Sequence, residues 1–457
     1  MSAEILQGNV FDALPTIKPG SVDLCVTSPP YWRLRSYLPK GHPLKPLELG
    51  SEESPAAYIS NLVKVFDLVR TAMADHGTCW INCGDTYSAG QRVGNGTRIN
   101  QKQQTNAGTL GFDERPNPDG ISSGNLCLIP QRLAIALQDD GWLVRSVIAW
   151  VKPAPMPQSL SGWSWRRCRV KMKSAPKTFG CKVGSAERGG NHPSIGSFND
   201  YVGAQWSDCH GCKKCEPNGG YVLRRGSWRP TSSWEPILML AKGPNYFCDG
   251  EAVKTPAAPA TVERDKYSHI LYDPDEQFAV AHDHETICNG ANLRDVWTIA
   301  AESLKEKHYA AFPSELVYWC LAAGTSSKGY CPHCGRPWVR VMESSLALAP
   351  DGKTCLKCGK NHGRPKTDPQ YGGVGQSVDQ FCCVNTSTIG WRQSCRCPEA
   401  DPRPGLVLDC FSGSGRTAIQ AQRLGLNFVG IELNPEYVEM SRKLIQEANP
   451  LFAFAED

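Results

Sequence analysis

One stretch constrains the fold of this chain more than any other: residues 406–441 read LVLDCFSGSGRTAIQAQRLGLNFVGIELNPEYVEMS. An apolar run ends at Asp409, and the turn that follows contains Gly413 and Gly415. A helical pattern comes next, and then a second apolar run with Glu432 near its end. This order is typical of a nucleotide-binding βαβ unit. The glycines let the backbone approach a ligand closely, and the acid is spaced to accept hydrogen bonds from ribose hydroxyls.

The rest of the chain predicts further strands and helices in alternation. Apolar runs predict strands over 21–28, 78–85, 143–152 and 234–243, and helical patterns cover 55–77 and 130–142. Residues 86–124 are rich in Gly, Asn, Gln and Thr, which indicates a long loop. Alternating strands and helices imply a mainly parallel sheet. A chain of 457 residues exceeds one compact core, so about two to four domains are expected.

Composition and hydropathy favour a soluble cytoplasmic protein. The 49 Lys and Arg against 45 Asp and Glu give a net charge of +4, so attraction to nucleic acid must come from a local patch. No apolar run approaches the ~20 residues that span a bilayer, and the N-terminal residues lack the pattern of a secretory signal. In a reducing cytoplasm the 21 cysteines are expected to be thiols or metal ligands.

Both ends of the chain resemble one known family. The segment DCFSGSGRT (409–417) resembles the S-adenosylmethionine motif of DNA amino-methyltransferases, and TSPPYW (27–32) resembles their catalytic motif. The catalytic motif comes first, as in the permuted arrangement called the beta group. A third segment, KHYAAFPSELV (307–317), is similar to one that this group places just before the cofactor motif. The resemblance implies an α/β protein with the Rossmann-like fold of S-adenosylmethionine-dependent methyltransferases, permuted motif order and zinc-binding insertions.

The resemblance also implies where the cofactor binds. Glu432 is expected to hold the ribose, and the 411–415 backbone is expected to pack around the methionine part of S-adenosylmethionine. The expected contacts are Asp409, Phe411, Ser412, Gly413, Gly415, Glu432, Phe312, Ser314 and Glu315.

The TSPPYW segment suits methyl transfer to an exocyclic amine, whose lone pair is delocalised into the base ring. The Ser28 hydroxyl and the Pro29 carbonyl are placed to accept the two amine hydrogens. The fixed φ of Pro29 and Pro30 keeps the turn rigid, and Tyr31 offers a ring face to the base. Catalysis then consists of positioning and electrostatics. A covalent route needs a cysteine nucleophile, usually in a Pro-Cys dipeptide. The sequence contains no Pro-Cys dipeptide.

The first residue of the Ser-Pro-Pro-Tyr tetrapeptide bears on which base is methylated. In the family, Ser at this position goes mostly with cytosine N4, and Asp or Asn mostly with adenine N6. A hydroxyl donates as well as accepts, so Ser28 could address both the N3 edge and the amine of cytosine. The predicted activity is therefore cytosine N4 methylation in double-stranded DNA, at a base flipped out of the duplex. Adenine N6 is the alternative, followed by an RNA or protein-glutamine methyltransferase and a non-catalytic zinc protein that binds nucleic acid.

A basic, cysteine-rich insertion interrupts the methyltransferase pattern at 156–230. Residues 163–188 carry eight Lys or Arg and one Glu, with tryptophans interleaved among them. This composition suits phosphate contact and base stacking, so the insertion is predicted to recognise the DNA target. The segment CHGCKKC (209–215) predicts a structural zinc site. Its expected ligands are Cys168, Cys209, Cys212 and Cys215, with Cys181 as the rival for the first of these.

A second insertion, at 326–400, contains two C-x2-C knuckles and two later cysteine pairs. In one arrangement Cys331, Cys334, Cys355 and Cys358 form a zinc ribbon. The nested arrangement is favoured: Cys331, Cys334, Cys395 and Cys397 form one site, and Cys355, Cys358, Cys382 and Cys383 form another. By contrast, Cys25, Cys79, Cys83 and Cys320 lie in apolar patterns and are expected to be buried thiols.

The segments predict five parts of the chain. They are 1–155, the catalytic half of the core; 156–230, the recognition insertion; 231–325, a return to the core; 326–400, the second insertion; and 401–457, the cofactor-binding half. Two positions depart from the family pattern, since Trp234 stands where relatives often have His and Cys410 where they often have Pro. The sequence leaves open the DNA recognition sequence, a restriction nuclease partner and the oligomeric state.

Overall fold

The computed structural model describes residues 2–34, 36–39, 41–88, 121–122, 124–155, 161–171, 206–256, 290–302, 313–346 and 384–448. Most of the predicted loop 86–124 lies outside these residues. The chain divides into two compact units, one formed by Met1–Ala154 with Trp234–Asp457 and the other by Pro155–Ser233. Among the helices of the described residues, none has both the length and the apolar character needed to cross a membrane.

The described strands and helices are numbered here in chain order. The strands are β1 (Ala3–Gln7), β2 (Val22–Thr27), β3 (Met73–Asn82), β4 (Leu143–Val151), β5 (Trp163–Arg167), β6 (Arg169–Lys171), β7 (Trp206–Asp208), β8 (Tyr221–Arg225), β9 (Trp234–Ala241), β10 (Val296–Thr298), β11 (Trp338–Leu346), β12 (Val384–Gln393), β13 (Leu406–Asp409) and β14 (Asn427–Glu432). The helices are α1 (Val10–Ala13), α2 (Pro55–Ala72), α3 (Ile129–Asp139), α4 (Ser314–Gly324), α5 (Arg416–Arg423) and α6 (Pro435–Ala448).

The prediction of a mainly parallel sheet is confirmed in the first unit. Eight strands pair in the order β1-β14-β13-β2-β3-β9-β4-β10. Neighbouring strands run parallel except at β9, which is antiparallel to both β3 and β4. Strand β13 pairs with β2, so that Val407 and Leu408 lie opposite Leu24 and Cys25. The carboxyl ends of two strands from opposite ends of the chain therefore lie side by side.

Helices cover both faces of this sheet. Strand β2 is buried along its whole length, as expected of a parallel strand that is covered on both faces. On one face α2 and α3 pack through residues such as Phe66 and Leu133. On the other face α4, α5 and α6 contribute Leu321, Ala421 and Ile445. The first unit is thus a three-layer α/β structure around this sheet, in agreement with the predicted fold class.

Helix α2 begins where the sequence predicts but ends earlier. The Ser54 side chain accepts a backbone hydrogen bond in the first turn, and Pro55 occupies the first helical position. The helix predicted over 55–77 is too long, because the chain enters β3 at Met73, which pairs with Val22 of β2. Pairing with the sheet overrides the helical pattern in this segment.

The expected buried thiols lie in the core. Cys25, Cys79, Cys83 and Cys320 are all completely buried, which confirms the prediction. Burial raises the pKa of Cys25, Cys83 and Cys320, so these three side chains stay neutral at physiological pH. They act as small apolar side chains within the packed layers.

A buried ion pair joins β2 to the segment before β13. The Asp23 side chain has no exposed surface, and it accepts hydrogen bonds from the Arg403 guanidinium at 2.8 and 3.1 Å and from the Leu406 N–H at 2.8 Å. His76 Nε2 lies 3.1 Å from the same carboxylate. The Arg403 guanidinium also lies over the Tyr330 ring, 5.1 Å from its centroid. The Asp23 carboxylate is therefore connected, directly or through Arg403, to three other segments of the chain.

Replacing Asp23 with Asn should lower the free energy of unfolding by about 3 kcal/mol, because it removes the charge that compensates a partly buried guanidinium. Urea denaturation of the full chain measures this loss. Asp67→Asn is the matched control, since Asp67 pairs with Arg70 at the surface, where such a pair contributes about 0.5 kcal/mol or less. Equal losses in the two variants would contradict the assigned role of Asp23.

Candidate functional site

A cleft lies at the carboxyl ends of the parallel strands, where open α/β sheets bind ligands. Its empty volume is about 910 Å³, including the part open to solvent. Three turns meet there. Ser28 and Pro30 follow β2, Asp409 ends β13 and residues 410–414 follow it, and Glu432 and Asn434 lie at the end of β14. The cleft therefore brings together the two motifs from opposite ends of the chain.

Asp409 holds the junction of β2 and β13 in this cleft. One oxygen of its buried carboxylate accepts hydrogen bonds from the Thr27 hydroxyl at 2.6 Å and the Phe411 N–H at 3.1 Å. The other oxygen accepts one from the Thr417 hydroxyl at 2.6 Å. Burial raises the pKa of Asp409, and these hydrogen bonds oppose the rise. Since its partners belong to the protein, Asp409 fixes the shape of the turn.

The turn after β13 requires glycine at two positions. Gly413 has a φ of 52° and Gly415 a φ of 74°, both in the left-handed region. A Cβ at Gly415 would lie 3.0 Å from the Cβ of Ser441 in α6, so the turn also packs closely. Ser412 lines the cleft, and its buried hydroxyl oxygen has no hydrogen-bond partner among the described residues. A polar group of a ligand would satisfy it.

Glu432 is the other acidic group of the cleft. Its Oε2 accepts a hydrogen bond from the Gly413 N–H at 2.9 Å, and its Oε1 accepts one from the Asn434 N–H at 2.8 Å. Burial raises the pKa of Glu432 to about 7, and the charge of Asp409 adds to the rise. A carboxylate has about four acceptor positions. Glu432 can therefore accept hydrogen bonds from two neighbouring hydroxyls of a ligand as well.

The Ser-Pro-Pro-Tyr turn is anchored at its centre. The Tyr58 hydroxyl donates a hydrogen bond to the Pro30 carbonyl at 2.7 Å, which ties the turn to α2. Ser28 lines the cleft. Within the described residues, no hydrogen bond reaches the carbonyl of Pro29. Pro29 itself is not among the residues that line the cleft. The Ser28 side chain hydrogen-bonds the Tyr31 hydroxyl, and its oxygen keeps an acceptor position at the end of a fixed turn.

Tyr31 is held in place on two sides. Its hydroxyl lies 2.8 Å from Glu235 Oε2 and 2.9 Å from Asn82 Oδ1, and Lys152 pairs with the other oxygen of Glu235. Burial raises the pKa of Tyr31, and the charge of Glu235 raises it further, so the hydroxyl stays protonated. A Cβ at Gly84 would lie only 2.2 Å from Tyr31 Cε2. The ring therefore lies directly against the backbone after β3, and Tyr31 is not among the residues that line the cleft.

Three cofactor contacts are predicted just before or within α4, and they differ in their positions relative to the cleft. The Ser314 hydroxyl donates a hydrogen bond to Glu302 at 3.0 Å and accepts one from Arg416 at 2.7 Å. Arg416 also pairs with Glu302 and lines the cleft. Glu315 is exposed and is not among the residues that line the cleft. Phe312 lies outside the described residues.

Sequence reasoning missed several residues of the cleft. Tyr37 and Tyr437 pack edge to face, with ring centroids 6.2 Å apart, and both line it. Asn434 donates a side-chain hydrogen bond to the Tyr37 carbonyl at 3.2 Å and accepts one from the first turn of α6. An Asn followed by Pro435 at a helix start is a recognisable cap, so Asn434 could have been found. The pairing of the two tyrosines depends on tertiary contacts and leaves no local signal.

The second unit contains a cluster of four thiols. They are Cys168, Cys209, Cys212 and Cys215, whose sulfur atoms all lie within 4.8 Å of one another. The backbone N–H groups of Lys214 and Cys215 lower the pKa of Cys212 to about 7, which favours the thiolate. Burial, as the largest cause, and the neighbouring thiols raise the pKa of Cys168 to about 12. Four thiols at this spacing have the number and chemistry of a structural zinc site. Cys181, the rival ligand, lies outside the described residues.

A second cluster lies in the first unit. Cys331, Cys334, Cys395 and Cys397 come together with the same maximum spacing of 4.8 Å. The backbone N–H groups of Cys334 and His333 lower the pKa of Cys331 to about 6 against the effect of burial. This grouping is the first site of the nested arrangement. The cysteines assigned to its second site, Cys355, Cys358, Cys382 and Cys383, lie outside the described residues.

Comparison with known proteins places these features in one family. Residues 22–332 and 400–443 match the family model described as DNA methylase. The chain is 24% identical over 444 residues to the type II methyltransferase M.SmaI of Serratia marcescens, a match that covers 97% of this chain and 91% of that protein. It is also 24% identical over 445 residues to M.Cfr9I of Citrobacter freundii, covering 97% and 88% of the two chains. A shorter match to M.SfiI of Streptomyces fimbriatus has 35% identity over 153 residues and covers 34% and 31%.

Proposed function

Because the chain belongs to the DNA methylase family, as a beta-group amino-methyltransferase that uses S-adenosylmethionine, we propose that it methylates N4 of cytosine in double-stranded DNA. The observation that carries this proposal is Ser28 at the head of the Ser-Pro-Pro-Tyr turn, in the same cleft as Glu432. By resemblance to the family, a serine at that position favours cytosine. Adenine N6 is the second candidate, because the matching family includes enzymes of both kinds.

The cleft suits S-adenosylmethionine in its polar groups. Glu432 has acceptor positions for two ribose hydroxyls, and the buried Ser412 hydroxyl requires a polar partner. Gly413 and Gly415 give the 411–415 turn its left-handed backbone, and residues 411–414 of this turn line the cleft at the proposed methionine part. The cofactor supplies a methyl group bonded to a positively charged sulfur. The protein's task is to bring an amine to that methyl group along one line.

The turn after β2 is assigned that task. The Ser28 hydroxyl and the Pro29 carbonyl accept the two amine hydrogens, which localises the lone pair on the nitrogen and directs it. The Tyr58 hydroxyl fixes the turn through the Pro30 carbonyl, so little motion remains to be lost when the base arrives. Precise placement of this kind can lower a reaction barrier by several kcal/mol.

Tyr31 is assigned the base-stacking surface. Its hydroxyl is held by Glu235 and Asn82, so the ring has one orientation before the base enters. Glu235 follows Trp234, the position at which the chain departs from the family pattern. The change at Trp234 leaves Glu235 and its hydrogen bond to Tyr31 in place. This supports a functional pocket for the base.

A base within a duplex must be flipped out to enter this cleft. The insertion at 156–230 is proposed to hold the flanking DNA, since its described residues include exposed tryptophans and many arginines. The relatives are type II methyltransferases. This supports a restriction nuclease as a functional partner of the chain.

Two thiol clusters are proposed to bind structural zinc. Each supplies four protein ligands, which leaves no coordination position for a substrate. Bound metal would stabilise folding at both places without taking part in methyl transfer.

Ser28→Ala should reduce turnover about 10²-fold or more while leaving S-adenosylmethionine binding nearly unchanged, because it removes an acceptor that matters only for the amine. Radiolabelled methyl transfer to duplex DNA and calorimetry measure the two effects. Ser21→Ala is the matched control, since Ser21 lies before β2 and bonds only the Lys18 carbonyl at 2.6 Å.

The same assay decides the base. Digestion of methylated DNA to nucleosides, followed by mass spectrometry, should yield N4-methylcytosine. N6-methyladenine as the sole product would overturn the base assignment. RNA and protein substrates tested in parallel should remain unmethylated.

Glu432→Gln should weaken S-adenosylmethionine binding about tenfold or more at pH 8 and less at pH 6, since charged acceptors bind hydroxyls more strongly. The carboxylate form of Glu432 predominates above its pKa of about 7. Wild-type affinity should therefore rise through neutral pH relative to the variant. Asp409 and the cofactor's own amine also contribute to the pH dependence of binding, but both proteins share these groups. The difference between the two calorimetric pH profiles therefore reports on Glu432. Parallel pH profiles would count against the assignment.

Metal analysis of purified protein should find at least two equivalents of zinc per chain, one for each described cluster. Cys212→Ser should lower the content by about one equivalent and also lower thermal stability. Cys248→Ser is the control, because Cys248 belongs to neither cluster. A metal-free preparation with full activity and unchanged melting would rule the proposal out.

A further inference from the structure

The described residues of the second unit include almost no buried side chains. Among its described residues only Cys215 is buried, and it belongs to the thiol cluster. The strands described in this unit form two small sheets, β5 with β8 and β6 with β7. Two-stranded sheets without a covering layer are marginally stable in water. The exposed side chains of these two sheets are therefore suited to binding a partner rather than to packing within the unit.

The thiol cluster joins the two sheets. Cys168 lies between β5 and β6, Cys209 follows β7, and Cys215 precedes β8. The Cys168 N–H donates a hydrogen bond to the Gly220 carbonyl at 2.9 Å, and the Cys209 N–H donates one to the Cys168 carbonyl at 3.0 Å. A metal ion bound by the four sulfurs would therefore fix the ribbon formed by β5 and β8 at one end.

The register of this ribbon sorts its side chains into two faces. Trp163 pairs with Arg225, Trp165 with Leu223, and Arg167 with Tyr221. Directly paired residues lie on the same side of a sheet. We call these six residues the aromatic face. The opposite face carries Ser164, Arg166, Val222 and Arg224.

The aromatic face is exposed to an unusual degree for such residues. Trp163 is 69% exposed, Trp165 is 55% exposed and Tyr221 is 43% exposed. The Arg225 guanidinium lies 5.1 Å from the centre of the Trp163 ring. Large apolar side chains grouped in the open indicate a contact surface. Aromatic rings combined with arginines are typical of nucleic-acid contact surfaces.

The charge of the ribbon indicates the partner. The sequences of β5 and β8, WSWRR and YVLRR, contain four arginines and no acid. Such a ribbon is complementary to the phosphates of DNA. A two-stranded ribbon also fits the major groove, about 12 Å wide, where an arginine can bind guanine through two hydrogen bonds.

We propose that the aromatic face of the β5–β8 ribbon enters the major groove of the substrate duplex and reads part of the methylation site. Arg225 reaches base edges, and Arg167 exchanges its pair with Asp208, at 3.2 Å in the free protein, for a contact with a base edge. Trp163 and Trp165 pack against sugars and thymine methyl groups. This inference rests on the proposed function, because it takes duplex DNA as the substrate. It adds the face that recognises the sequence.

The test compares two double variants of the zinc-loaded full chain that lose the same charge. Arg167→Ala with Arg225→Ala changes the aromatic face, and Arg166→Ala with Arg224→Ala changes the opposite face. The probe is a fluorescein-labelled duplex containing the methylation site, which methylation-sensitive sequencing of DNA from an expressing host identifies. A duplex with the site scrambled and the isolated single strand serve as competitors. Fluorescence anisotropy gives the affinities.

The aromatic-face variant should lose affinity for the site duplex about tenfold or more and lose its preference over the scrambled duplex. The opposite-face variant should lose about threefold or less, equally for both duplexes. Equal losses in the two variants would overturn the inference, because the ribbon would then act only as diffuse charge. Tighter binding of the single strand, lost with the aromatic face, would overturn the duplex as the partner.

A second pair of variants tests the rings without changing charge. Trp163→Ala with Trp165→Ala should weaken site binding, whereas Trp206→Ala, a tryptophan of β7 that is 55% exposed, should not. Unchanged zinc content and S-adenosylmethionine binding establish that each variant is folded.

Wild-type protein that binds the cofactor but no duplex would reject the proposed function itself. Wild-type binding with no dependence on the aromatic face would reject only this inference.

Discussion

The hydrogen bond from the Thr27 hydroxyl to Asp409, at 2.6 Å, joins the two halves of the cleft. Thr27 ends β2 and immediately precedes Ser28, while Asp409 ends β13 and precedes the glycine-rich turn. The parallel pairing of β2 with β13 places their carboxyl ends side by side, and this buried bond connects the two turns that follow. Cys410 adds a contact from its sulfur to the Thr27 hydroxyl at 3.5 Å. The replacement of the usual Pro by Cys410 is therefore accommodated within the core.

The sequence predicts the parts of this arrangement that depend on local pattern. The strand ending at Asp409, the following helix and the strand carrying Glu432 all form, because apolar periodicity and glycine positions are local properties. The early end of α2 could not be predicted, since it depends on the pairing of Met73 with Val22. The ion pair between Arg416 and Glu302 could not be predicted either, because 114 residues separate the two and each resembles an ordinary surface charge in the sequence. Long-range pairing is thus where single-sequence reasoning fails.

The two units gain their stability in different ways. The first buries a continuous set of apolar side chains on each face of its sheet, so the hydrophobic effect dominates there. The second has a single buried residue among those described, and that residue is a cysteine of the thiol cluster. Cross-linking by metal can substitute for a core in a segment this small. Such a segment can expose tryptophans and arginines for binding without losing its own fold.

Electrostatics in the cleft gives a reason for a serine at position 28. Burial raises the pKa of both Asp409 and Glu432, and the charge of Asp409 raises that of Glu432 further. A carboxylate at position 28 would add a third like charge beside Thr27, the partner of Asp409. A hydroxyl supplies an acceptor for the target amine without that cost. Under the proposed function, Asp409 and Glu432 then balance the positive charge of the methyl donor while the residue facing the amine stays neutral.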